Sequence, residues 1–376
     1  MVNEFGEVTL FEKAKQSLVA TPAMVIDLAL VRENLLKLSA YLKPHGITVR
    51  PHTKTHKSKR LAQEQLNTGS VGLTVAKVGE AEVMAEVCDD ILIGYPAIDA
   101  HRCSRIAKLA HKITLRVAVD SKYGIEALAR AAKEAGSTIG VLIDLNCGSD
   151  RTGVATPELS LELAQHVVCC GEGVRLDGLF FYPGQVWVPV DQQPPVLKKI
   201  DDLLKKTLNL WTEAGLKAEI VSGGSTPTAY QSHHITSQTE IRPGTHIFND
   251  MNTVHAGFCT LQDCSVALIC TVISDAVDGK VIIDAGSKSL TSDKNVTQPD
   301  SGYGYILEYP EAQVSKLSEE HGELDVRNCK SVPEVGDRVT LIPNHICPCL
   351  NLQEQVWLQT ENGLEELTVD TQGMII

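Results

Sequence analysis

The sequence predicts an α/β chain: a (β/α)8 TIM-type barrel joined to a C-terminal, mostly-β domain. Three observations carry this expectation. Eight short β-rich runs alternate with longer segments of helical periodicity across about 210 residues, the size of eight βα units. Beyond roughly residue 250 the alternation stops and turn-punctuated strands take over. The length of 376 residues leaves room for two cores at ~150 residues per domain. An open doubly wound sheet is the rival, but it usually holds about five to seven strands.

The elements follow in order. A strand-like stretch, TPAMVIDL at 21–28, precedes the alternation and is expected to cross over and join the C-terminal domain. The eight runs are 47–51, 71–76, 90–95, 114–120, 140–145, 174–181, 218–222 and 240–247. Runs such as VLIDL are apolar almost throughout, as expected where both faces of a parallel strand are covered. Helical patterns lie between most of them, at 59–67, 79–87, 100–111, 123–135, 159–170 and 196–214. In 123–135, Ile125, Leu128, Ala132 and Ala135 recur at helical spacing. The connection 223–238 is short for a full crossover helix. The later segments SVALICTVISDAV, GKVIIDAG, DRVTLIPN, EQVWLQT and LEELTVD are strand-like and separated by turns such as Asp278-Gly279 and Asn362-Gly363. The expected division is therefore a barrel at 25–250 and a β domain formed by 1–24 with 251–376.

Composition limits the function. Lys+Arg is 34 and Asp+Glu is 47, a net charge of −13, which speaks against nucleic-acid partners. No run approaches the ~20 apolar residues that span a bilayer, so no membrane is expected. Glu4, Glu7 and Glu12 occupy the place where a secretory signal needs an apolar core. The 11 cysteines are scattered, which reads as reduced thiols in a cytoplasmic protein.

In a barrel of this kind the chemistry sits at the C-terminal ends of the strands. The first run ends in Arg50-Pro51-His52-Thr53-Lys54-Thr55-His56-Lys57. Positive neighbours favour a neutral, nucleophilic Lys54, able to form a Schiff base with a carbonyl or pyridoxal. The other reading is a solvated basic loop. The seventh run ends in Ser222-Gly223-Gly224-Ser225-Thr226 and the eighth in Arg242-Pro243-Gly244-Thr245. Loops after strands 7 and 8 often hold phosphate, and glycines let backbone N–H groups approach it. A small phosphorylated cofactor fits better than a nucleotide, since no G-x-x-x-x-G-K-[ST] or G-x-G-x-x-G run is present. After the fifth run, Arg151 sits in a glycine-rich turn where it can clamp an oxyanion or simply pair with Asp150. After the sixth, Tyr182 reads either as a site hydroxyl or as barrel packing. In the β domain, on an extended backbone, His345, Cys347 and Cys349 would point the same way, and imidazole with thiolate suits Zn²⁺. Two core cysteines beside an ordinary histidine is the plain alternative. Glu319-Glu320-His321-Gly322 reads as a solvated turn, and Asp284-Ala285-Gly286-Ser287-Lys288 as a strand-end turn.

Taken together, RPHTKTHK (50–57), DRTGV (150–154), GGSTPT (223–228), EIRPGTHIFND (240–250), DAGSK (284–288), EEHG (319–322) and PNHICP (343–348) resemble the fold-type III pyridoxal-phosphate enzymes. The resemblance is to the D-serine dehydratase / D-threonine aldolase family, relatives of alanine racemase, and it spans nearly the whole chain in family order. It implies an alanine-racemase-like barrel with a β domain, a homodimer, pyridoxal 5'-phosphate, a divalent metal, and a small D-amino-acid substrate. It places Lys54 as the lysine that joins the cofactor and Arg151 near its phenolic oxygen. Tyr182 falls at the cofactor. The phosphate loops correspond to Ser222, Gly223, Gly224, Ser225, Thr226, Gly244 and Thr245, and the metal ligands to His345 and Cys347. His52 is the expected proton acceptor in aldol cleavage. Two features diverge: His345-x-Cys347 resembles the dehydratase-like members, whereas Tyr182-Pro183-Gly184 resembles the aldolase-like ones. Cys347, a soft ligand, favours Zn²⁺ over a hard ion. The expected function is a metal-assisted lyase of a D-3-hydroxy amino acid. The alternatives are an amino-acid racemase and a non-catalytic carrier of the cofactor.

Overall fold

A computed structural model of the chain describes residues 11–376, so the expected segment 1–24 lies outside the described residues over its first ten positions. The chain divides into two compact units, taken separately below.

The strand β1 (Ala23–Asp27) belongs to the β-rich unit. Eight strands then build the larger unit: β2 (Thr48–Val49), β3 (Leu73–Val75), β4 (Asp90–Ile93), β5 (Thr114–Val119), β6 (Ile139–Leu145), β7 (Val174–Phe181), β8 (Ile220–Gly223) and β9 (Glu240–Ile241). All pair in parallel, in the order β2-β9-β8-β7-β6-β5-β4-β3. A bridge between His52 and Thr74 brings the two ends together, with the Thr74 N–H donating to the Pro51 carbonyl at 2.8 Å. Side chains that alternate along the strands separate two cores. Leu92, Ala118, Leu142 and Phe180 pack inside the barrel. Ile91, Ile93, Val117, Val141, Ile143 and Leu179 face the surrounding helices. All seven residues of β6 are buried, which explains its continuous apolar run.

The helices fall where the sequence expects them, with ends that shift by up to three residues, as at Val78–Met84 and Gln193–Glu213. Ser121 and Thr156 cap Lys122–Ala135 and Pro157–Cys170 by accepting the N–H groups of Gly124 and Leu159. The expected eighth run at 240–247 is shorter than the sequence suggests. Pro243 has no N–H for a ladder, the strand stops at Ile241, and Thr245–Ile247 coils into a 3-10 turn. The short connection after β8 holds a 3-10 helix, Ala229–His234, in place of a crossover helix. Among the described residues no helix is long and apolar enough to cross a membrane.

Inside the barrel, on the inward register below the apolar layer, charges alternate in sign. Glu240 takes the Arg50 Nε at 3.0 Å, and Arg50 also holds Asp90. Asp90 holds Arg116, whose Nε donates to Asp177 at 2.7 Å. Arg50 and Glu240 are almost fully buried. Gly72 makes room for this chain, because a Cβ there would sit 2.2 Å from Arg50 Nη1.

The second unit gathers β1 with β10 (Val266–Ser274), β11 (Lys280–Ile283), β12 (Tyr305–Ile306), β13 (Gln313–Leu317), β14 (Gly322–Asp325), β15 (Arg338–Ile342), β16 (Gln355–Thr360) and β17 (Gly363–Thr368). Their order is β11-β14-β13-β12-β15-β10-β1-β16-β17, and an extra β10–β11 pairing closes six of them into a ring. β1 lies between β10, antiparallel, and β16, parallel. Residues 1–24 and 251–376 were expected to part from the barrel near residue 250; the unit boundary falls at Thr245, and residues up to Leu35 and Thr55–Ser58 lie on the β side of it.

Candidate active site

Within the barrel unit, the strand ends collect the expected residues. Lys54 is exposed on the 3-10 turn Thr53–Thr55 that follows β2. The turn is pinned from below: Thr53 Oγ1 donates to the Thr74 carbonyl at 3.2 Å, and Thr74 Oγ1 to the Arg50 carbonyl at 2.8 Å. The Lys54 N–H points to His52 Nδ1 at 3.4 Å, which leaves that nitrogen as the acceptor.

After β6, the loop bearing Arg151 is folded by its own side chains. Asn146 Oδ1 accepts the Gly148 and Asp150 N–H groups, and Thr152 Oγ1 donates to Asp144 Oδ2 at 2.9 Å. The Gly153 N–H donates to Asp120 Oδ2. Gly153 has φ +97°, and a Cβ there would lie 2.6 Å from the Asn146 nitrogen, so only glycine fits. Arg151 is exposed, its guanidinium 4.5 Å from the centre of the half-buried Tyr182 ring.

At the end of β8, Gly223 abuts the Phe181 ring so closely that a Cβ would fall 1.9 Å from it. Gly224 has φ +77°. The Ser225 N–H and hydroxyl turn to Thr228 Oγ1, each at 3.2 Å, and Thr226 is half-buried. Packing against Phe181 and Ile241 thus keeps side chains off Gly223 and Gly224, and a glycine turn followed by two hydroxyl residues is a chemistry that suits a phosphate. Ser222 serves the floor instead: its hydroxyl donates to Glu240 Oε1 at 2.6 Å and accepts from Arg242 Nη1 at 2.7 Å. Gly244 ends the same unit, half-buried after Pro243.

Two buried charged groups complete this floor. Arg242 lies over the Phe180 ring at 3.6 Å and donates to the Phe181 carbonyl. Burial lowers it to about 10, against the pull of Glu240 and Asp144. Asp144 is pushed up to about 6 by burial, with the Thr152 hydrogen bond and the Arg242 charge opposing. Both were readable by alternation: Arg242 is two residues past Glu240, and Asp144 two past the inward Leu142.

The Asp144 shift has a stability consequence. A carboxyl whose folded value lies above its unfolded value of ~3.9 favours the fold below about pH 4 and loses that advantage as pH rises to about 6. Two pKa units correspond to about 3 kcal/mol. Asp144→Asn, still an acceptor for Thr152, is therefore expected to match wild type near pH 4 and exceed it in denaturant midpoint at pH 7.

In the β-rich unit, His345 and Cys347 face each other. His345 precedes the helix Ile346–Asn351, so the extended backbone expected for 345–349 is not what the chain adopts. The helix turns Cys349 into the core, where its thiol donates to the Leu290 and His345 carbonyls, and burial raises it well above a normal thiol. Cys349 therefore does not line up with His345 and Cys347. Cys347 Sγ lies 3.2 Å from Thr55 Oγ1 and 3.5 Å from Thr245 Oγ1. Thr245, expected in the phosphate cradle, thus turns its hydroxyl to this sulfur. Burial, the largest single influence, works against charge on both members of the pair, and is overcome by their mutual hydrogen bond and charge attraction together with the neighbouring groups, Asp250 and Asp293 at His345 and Thr245 and Thr55 at Cys347. His345 is pushed up to about 9 and Cys347 held below its ordinary value. A histidine beside a cysteine is a soft two-ligand set that fits Zn²⁺ and leaves other positions for water or substrate. Among the described residues no group of three or more His, Cys, Asp or Glu converges on one point.

The remaining motifs are structural. Asp284 accepts from the Thr21 hydroxyl and the Thr271 N–H. Lys288 pairs with Glu319 and Glu320 on the surface, the solvated turn foreseen for that cluster.

The chain belongs to the alanine racemase N-terminal domain family, whose model matches residues 26–251; residues 265–358 match the serine dehydratase domain. It is similar to D-threonine aldolase from Arthrobacter sp., with 28% identity over 93% of this chain and 91% of that one. It is also similar to D-threo-3-hydroxyaspartate dehydratase from Delftia sp., with 29% identity over 87% and 90%. A solved structure of a cysteine-to-alanine mutant of D-threo-3-hydroxyaspartate dehydratase, in the metal-free form, superposes with a TM-score of 0.87 at 26% identity, covering 93% of this chain and 97% of that one.

Proposed function

We propose that the chain is a pyridoxal-phosphate-dependent, metal-assisted lyase of a D-3-hydroxy amino acid, working as a cytoplasmic homodimer with Zn²⁺. The observation that carries this reading is the presence, in one chain, of a lysine at one barrel strand end and a two-glycine turn at another, together with a histidine that hydrogen-bonds a cysteine. The family resemblance supports assigning both to one reaction. The relatives named above are lyases, which favours cleavage over racemisation. Eleven cysteines with no disulfide among the described residues support a reducing compartment. The family resemblance supports the homodimer.

Pyridoxal phosphate, when bound, supplies an electron sink for the pair released at the substrate's α-carbon. Lys54 Nζ would hold the cofactor and, for C–O cleavage, would be the base for the substrate's α-proton. The backbone of Gly223, Gly224, Ser225 and Thr226 binds the phosphate. Arg151, steadied against Tyr182, would face the cofactor's phenolic oxygen, where its charge would disfavour a proton. Zn²⁺, when bound, supplies Lewis acidity toward the β-hydroxyl. His345 Nε2 and Cys347 Sγ hold it. For C–C cleavage, His52 is the residue assigned to accept the hydroxyl proton.

The metal assignment has a direct test. Exhaustive chelation is expected to abolish turnover while the cofactor's visible absorbance persists, and Zn²⁺ is expected to restore it. Cys347→Ala is expected to be inactive and unresponsive to Zn²⁺. Full activity after complete chelation would overturn the metal's role.

A further inference from the structure

Resting on the metal reading above, we infer that Asp293 is the positioning residue that fixes the ring orientation and tautomer of His345 for the ion. Asp293 Oδ2 accepts the His345 Nδ1–H at 2.9 Å. With Nδ1 committed to Asp293, the hydrogen bond that His345 shares with Cys347 runs through Nε2. Nε2 is therefore the ring nitrogen on the sulfur's side, the one a metal shared with Cys347 Sγ would take. Histidine ligands characteristically donate their other ring N–H to a carboxylate, which fixes the tautomer and raises ligand basicity.

The placement of Asp293 is built into the fold and does not depend on a chance surface contact. The segment around it contains Thr291 at φ +64°. Asn344, immediately before His345 and itself buried, donates its Nδ2 to the Asp293 carbonyl at 3.2 Å and to the Gly302 carbonyl at 2.9 Å. Asn295, two residues past Asp293 and also buried, donates to the Met251 carbonyl at 3.0 Å. Its Oδ1 accepts the Thr297 and Gln298 N–H groups. From the other side, buried Asp250 accepts the Ile346 N–H at 3.1 Å and so holds the backbone between the two ligands. Two asparagines and an aspartate thus lock the carboxylate-bearing segment to the ligand-bearing one. Asp293 and His345 side chains are both about half-exposed, 47% and 40%. At that exposure an isolated ion pair contributes little to stability, so its effect is expected in metal affinity and not in folding.

The test is the zinc dissociation constant of the full-length protein, measured by competition with a chromogenic chelator, alongside the melting temperature of the zinc-free protein. Asp293→Ala is expected to weaken zinc binding roughly 10- to 100-fold. Asp293→Asn keeps an acceptor but loses the charge, and is expected to fall between Ala and wild type. Asp293→Glu is expected to recover most of the affinity, with all melting temperatures unchanged. Unaltered affinity in Asp293→Ala would overturn the inference, as would equal losses in all three variants or a loss that tracks a lower melting temperature. His345→Ala is the control that separates failures. If it too leaves zinc affinity unchanged, the metal reading itself falls; if it abolishes binding while Asp293→Ala does not, only the role of Asp293 falls.

Discussion

Lys54→Ala is expected to lose turnover by roughly 10²–10⁴-fold or more, because one amine serves as both anchor and proton acceptor. The spectroscopic effect should be as large. Borohydride treatment of the wild-type holoenzyme, followed by digestion and mass spectrometry, should place a reduced pyridoxyl group on the peptide carrying Lys54. In Lys54→Ala the cofactor should dialyse away. The fold should survive, since Lys54 is exposed and its turn is held by Thr53 and Thr74. A covalent adduct on another lysine, or retained activity, would remove Lys54 from the site.

The largest stability effect is expected inside the barrel. Glu240→Ala takes the carboxylate from Arg50, which is only 3% exposed and cannot turn to solvent. It also leaves the Ser222 hydroxyl without its acceptor and reduces the charge opposing the burial of Arg242. Breaking a buried pair by removing one partner costs ~3–5 kcal/mol, and the lower end applies because Asp90 still holds Arg50. Glu240→Gln, which keeps an acceptor, should cost less. The measurement is the urea midpoint of each variant. A loss below about 1 kcal/mol for Glu240→Ala would show that the charges are screened by water, as surface pairs are.

Much of this was legible in the chain. The barrel was readable because its strands are covered on both faces and its helices carry caps and periodic apolar faces, signals local to each element. Run 174–181 is β7 to the residue, and run 59–67 is a helix to the residue. The end of β9 was overread because the apolar run continues to Ile247, while Pro243 had already ended the ladder. Cys349 was misjudged in direction because an extended backbone was assumed where Ile346–Asn351 turns helical. Of the site, the strand-end residues were readable since topology alone sends them to the mouth. What escaped are the groups whose importance depends on distant partners. Asp293 is 52 residues from His345, and Thr55 is 292 residues from Cys347. Sequence alone carries no signal for either contact. Asp144 and Arg242 were within reach of simple alternation, but charged side chains inside a barrel run against the usual expectation that such positions are apolar.

The most direct test of the account is product identification with the purified holoenzyme supplied with Zn²⁺, given D-serine, D-threonine and D-threo-3-hydroxyaspartate separately. The account predicts cleavage of at least one: a 2-oxo acid with ammonia if the β-carbon–oxygen bond breaks, or glycine with an aldehyde if the α-carbon–β-carbon bond breaks. Either product should disappear in Lys54→Ala and in Cys347→Ala. Recovery of only the L-enantiomer, or of unchanged substrate in every case with the cofactor bound, would contradict it.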